Sequence, residues 1–82
     1  MDFILTDHAE RRCARRKIQI EWIQHALERP TRIESDREDE TLLHALYPVP
    51  ERSFRVLRVI YNETLDPAAV VTAYFVDEVT DL

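Results

Sequence analysis

At 82 residues the chain is sized for one domain, residues 1–82, with a limited hydrophobic core. Apolar residues make up 45% of it, yet no apolar run approaches a membrane span, and Asp2 and Asp7 stand where a secretory leader carries basic residues. A lone cysteine, Cys13, excludes an internal disulfide, and no Cys/His cluster has zinc-ligand spacing; no metal or cofactor is expected, and a reducing cytoplasm is the expected compartment.

The net charge of −5 argues against a polyanion partner, but its distribution does not. Residues 8–17 set Arg11, Arg12, Arg15, Arg16 and Lys17 against Glu10, a local +4, whereas residues 34–40 carry a local −4. Local potential governs encounter more than net charge does.

A first helix is expected from Thr6 or Asp7, with Asp7 and Glu10 as a capping-box-like pair. Leu5, Ala9 and Cys13 give it a thin apolar stripe, and His8, Arg12, Arg15 and Arg16 fall on one flank. Lys17 to Gln19 forms a corner. A second helix over Ile20 to Glu28 buries Ile20, Ile23 and Leu27 and stops before Pro30. Strands are expected at Thr31–Ser35, at Thr41–Tyr47 (ended by Pro48 and Pro50), at Phe54–Tyr61 and at Ala69–Val76. The acidic run Asp36 to Glu40 is the first hairpin's solvated turn. The sequence has no glycine, so its turns are expected to rest on Asp, Asn and Pro. The pattern predicts an α+β domain with two N-terminal helices packed on one face of a four-stranded antiparallel sheet.

His8-Ala9, Arg12, Arg16-Lys17-Ile18, Glu21, Ile23, Ala26-Leu27 and Pro30 resemble the helical signature of a bacterial domain family of unassigned function. Arg55 to Tyr61 and Val70-Val71-Thr72-Ala73-Tyr74 resemble its two closing strands. That family is similar to the RelE and BrnT toxins and, more distantly, to the barnase and colicin ribonucleases. The resemblance covers nearly the whole chain and implies a RelE-like fold. It departs at the corner, where Lys17 and Gln19 replace the family's usual Gly and Ser or Thr.

The activity implied is metal-independent RNA cleavage of toxin–antitoxin type. Such a reaction needs a base for the ribose 2′-hydroxyl, cations for the phosphorane-like transition state and an acid for the leaving oxygen. His8, Arg12, Arg16, Arg58 and Tyr74 are the candidate catalytic residues, and Arg11, Arg15, Lys17 and Thr72 the candidate RNA contacts. Their structural alternative is equally concrete: His8 fixes the helix on the sheet, Arg12 and Arg16 pair with Asp77 or Glu78, and Thr72 and Tyr74 are ordinary strand residues. His25 and His44 read as bystanders and Cys13 as a small buried hydrophobe. The competing functions are RNA binding without cleavage, and a non-catalytic module that adds an antitoxin-like peptide or a second copy of itself along an exposed strand edge.

Overall fold

The first helix starts where the chain supplies a side-chain acceptor for a free backbone donor. In the computed structural model, which describes residues 1–77, α1 (Asp7–Arg16) is capped by Thr6, whose Oγ1 accepts from Ala9 N at 3.1 Å. The expected Asp7–Glu10 pair is therefore not the cap; both acids serve the first turn, facing the positive end of the helix dipole. Thr6→Ala is expected to cost about 1 kcal/mol, lowering the thermal midpoint by about 5 °C in a scan followed by circular dichroism.

Helix α1 closes on Lys17 in a Schellman arrangement. Lys17 N donates to Ala14 O and Ile18 N to Cys13 O, with Lys17 left-handed at φ 56°. The side chain at this corner costs some stability relative to glycine. Helix α2 (Ile20–Glu28) starts at Gln19, which makes no side-chain cap, and ends at Arg29 before Pro30.

The sheet corrects the expectation. It has five strands in the order β1-β5-β4-β3-β2, from β1 (Phe3–Leu5), β2 (Arg32–Ser35), β3 (Leu42–Val49), β4 (Arg55–Asn62) and β5 (Ala68–Val76). Strand β1 runs parallel to β5, pairing Phe3, Ile4 and Leu5 with Ala68, Ala69 and Val70; the other pairs are antiparallel. The four-stranded, wholly antiparallel, RelE-like arrangement is thus overturned by an edge strand of three residues. Leu5 belongs to that strand, leaving Ala9 and Cys13 as the buried stripe of α1.

Both helices do pack on one face. α1 lies over β5 and α2 over β3 and β4. Ala9, Cys13, Trp22, Ile23, Ala26 and Leu27 meet Ala45, Val49, Leu57, Val59, Tyr61, Val70 and Ala73 in one cluster. Burial raises the pKa of the Cys13 thiol, against the pull of the Arg16 charge, which suits a packing role. Ile20, assigned to the buried face of α2, is exposed.

Three turns replace glycine by two means. Asp36 Oδ2 accepts from the backbone of Glu38 and Asp39, and Asn62 Oδ1 from Thr64 N, as Asx turns do. Between β3 and β4, Pro50–Arg52 makes a 3-10 turn, after which Ser53 and Phe54 both turn left-handed at φ 54° and 61°. For a residue as bulky as Phe this conformation costs roughly 1–2 kcal/mol. Pro48 lies within β3 rather than ending it. It sits beyond Leu46, the last residue that β2 pairs, where the outer side of β3 has no strand to bond.

Candidate functional site

A β-bulge sorts the side chains of the sheet. The register shifts between Ile60 and Tyr61, so that Ala73 faces the core while Thr72 and Tyr74 lie on the helix-free face beside Ile60 and Arg58. The candidate residues of α1 and of the sheet consequently fall into separate groups.

On α1, His8, Arg11 and Arg15 are exposed and Arg12 is half-buried. Among the described residues none bonds or ion-pairs with any of the four side chains, and Asp77 pairs with Arg55 at 3.3 Å rather than with α1. The alternative partner Glu78 lies outside the described residues. Arg16 turns away from the flank: its Nη1 donates to Ala73 O at 2.7 Å, and its guanidinium carbon lies 5.8 Å from the centre of the Tyr74 ring. His8 and Arg16 are separated by eight helical residues, about 12 Å of rise.

Arg58 is committed elsewhere. Its Nη1 donates to Glu34 Oε1 at 3.0 Å and to His44 Nδ1 at 2.8 Å. A guanidinium has no acceptor, so Nδ1 is the accepting nitrogen; Nε2 carries the proton and donates to Asp36 Oδ1 at 2.7 Å. With both ring nitrogens engaged, His44 has none left to act as a base. Glu34, Asp36, His44 and Arg58 line an open cleft of about 310 Å³ with Ser35, Arg37 and Glu38. The Arg58 hydrogen bond, aided by nearby positive charge, holds the Glu34 carboxyl below its ordinary range. Asp36 is held low first by His44 and then by the backbone N–H groups of Asp39 and Glu38. Leu46, in register between Arg32 and Arg58 on this face, is fully buried.

Sequence reasoning set His44 aside and did not consider Glu34 and Asp36 together with it. The signal was present in the hairpin: a turn at 36–40 pairs Glu34 with His44, and His44 with Ile60 two residues along from Arg58, on one face.

Two further cations, Arg52 and Arg55, meet the aromatic pair of Trp22 and Phe75. Arg52 Nη2 donates to the carbonyl of Lys17 at 3.2 Å, tying the β3–β4 turn to the end of α1. The guanidinium of Arg52 lies 5.3 Å from the Trp22 ring centre and 5.5 Å from that of Phe75, and Arg55 lies 4.9 Å from Phe75. Trp22 and Phe75 meet edge to face at 6.1 Å, and Trp22 Nε1 donates to Glu51. Arg52 and Arg55 therefore flank the Trp22–Phe75 pair on the helix side of β5, while Arg16 rests on Tyr74, which points to the other face of the same strand. Neither Arg52 nor Arg55 is a candidate by sequence, because only tertiary contact brings them together on the Phe75 ring.

Among the described residues no group of three or more His, Cys, Asp or Glu side chains is placed to hold a metal ion, and no helix is long and apolar enough to cross a membrane.

These features define a small α+β domain with a basic, aromatic end and a buttressed ionic network on its helix-free face. By its match over residues 5–75, the chain belongs to the domain of unknown function DUF4258. No curated protein and no solved structure matches it, so neither comparison links the chain to the RelE or BrnT toxins.

Proposed function

We propose that the domain binds RNA across its basic, aromatic end without cleaving it. The observation that carries this reading is the seating of Arg52 and Arg55 on the Trp22–Phe75 pair, with Arg52 tied to the carbonyl of Lys17 at the end of the basic helix and Arg16 on Tyr74 of the same strand. Guanidinium groups resting on rings keep N–H donors available for phosphate, and exposed Arg15 and Arg11 extend the positive surface along α1. Binding fits the geometry better than cleavage does. Cleavage needs base, cation and acid around one phosphate, whereas His8 stands about 12 Å along α1 from Arg16 and Arg58 ends on Glu34 and His44. Toxin activity and an antitoxin-like partner form no part of this proposal.

The test is fluorescence anisotropy with a labelled RNA of about 12 nucleotides, a length typical of such sites. Binding is expected at low salt and is expected to weaken steeply as salt rises. Absent or salt-insensitive binding would remove the reading. The same mixtures run on a denaturing gel address chemistry: RNA fragments formed by wild type and lost in His8→Ala would replace binding with cleavage.

A further inference from the structure

Phe54 is held in a conformation that its own side chain disfavours, and the side chain is then left in water. Its backbone is left-handed at φ 61°, directly after Ser53 at φ 54°, and 66% of its surface is exposed. The turn asks only for the backbone: Ser53 N donates to Pro50 O and Phe54 N to Val49 O. Glycine would make the same bonds without a clash, and among the described residues the ring is not part of the core cluster. Arg52, two residues before it, is held on Lys17, Trp22 and Phe75, and Arg55, the next residue, on Asp77 and Phe75. Strain together with an exposed aromatic between two held arginines points to a use for the ring.

We propose that Phe54 is a stacking platform for an unpaired base whose neighbouring phosphates are met by Arg52 and Arg55. The RNA taken is therefore single-stranded, an inference that rests on the RNA-binding reading above. An open ring offers its face to any base, which makes the contact tolerant of sequence. Bases inside a duplex have both faces occupied by their neighbours, so a duplex offers the ring nothing but its ends.

The experiment compares wild type, Phe54→Gly and Phe54→Trp by anisotropy, using one labelled RNA alone and annealed to its complement. Phe54→Gly relieves the backbone, so it folds and its thermal midpoint is expected to equal or exceed that of wild type. Its affinity for the single strand is expected to fall about tenfold, the usual scale for losing one stacked base. Phe54→Trp is expected to match or exceed wild type on the single strand. The duplex is expected to bind more weakly and to be indifferent to both substitutions. Wild-type affinity for the single strand in Phe54→Gly would overturn the stacking role while leaving RNA binding in place. Failure of wild type to bind either probe would remove RNA binding itself and the stacking role with it. Self-association of wild type in sedimentation, abolished in Phe54→Gly, would assign the ring to a contact between copies and overturn the proposal.

Discussion

The double substitution Arg52→Ala with Arg55→Ala is expected to weaken RNA binding about a hundredfold at low salt. Each arginine removes one charge-assisted phosphate contact, on the order of 1.4 kcal/mol or tenfold apiece. The slope of log affinity against log salt is expected to flatten by about 1.4, because each phosphate contact on a single strand contributes roughly 0.7. The slope separates lost phosphate contacts from a disturbed fold, since a folding defect reduces the active fraction without changing the slope of the remainder. Arg52→Lys with Arg55→Lys keeps both charges, so it is expected to retain most of the slope while losing the planar fit to rings and phosphate. An unchanged slope in the alanine pair would place the RNA contact elsewhere.

The second large effect is expected from Glu34→Ala, which should destabilise the domain by about 1–2 kcal/mol. The Arg58 side chain is 17% exposed and Glu34 is its sole carboxylate partner among the described residues; Glu34 itself is 37% exposed, so water offsets part of the loss. Removing the carboxylate leaves a largely covered guanidinium with His44 Nδ1 as its remaining side-chain partner. Denaturant unfolding should show a lower midpoint at unchanged slope. The same carboxylates set a pH dependence of definite sign. Glu34 and Asp36 are both depressed in the folded protein, so their stabilisation is complete above the ordinary carboxylate pKa of about 4 and is lost as pH falls through the lower folded values. Wild type should therefore lose stability below about pH 4 more steeply than Glu34→Ala. Parallel acid profiles for the two proteins would count against the Arg58–Glu34 bond as a source of stability.

Both effects draw on residues that stand far apart in the chain, where local spacing carries no information. Arg16 belongs by spacing to a basic helix flank, yet its guanidinium reaches Ala73 and Tyr74 instead of that flank. Arg58 is by sequence a cation reaching from the sheet, and its direct partners are Glu34 and His44. Helical spacing fixes which residues share a flank, but it does not fix where a long side chain finds an acceptor.

By itself, the sequence determined what local periodicity and local stereochemistry can encode. Ala9 and Cys13 recur at helical spacing and are buried; Pro30 stops α2 at Arg29; the β-branched runs of β4 and β5 form two of the three long strands of the sheet. The basic segment after His8 was equally plain, since charge needs no fold to be counted. Tertiary structure alone decided the rest. Three residues, Phe3 to Leu5, are too few to show a strand period, and they become β1 only because β5 offers an edge more than sixty positions away. Arg52 lies in a turn and reaches the basic helix only because the hairpin brings that turn to the carbonyl of Lys17, and Arg55 shares the Phe75 ring with it only because β4 pairs with β5. Periodicity records which face of an element is buried, whereas convergence depends on register between elements, and a one-residue shift in register exchanges one sheet face for the other.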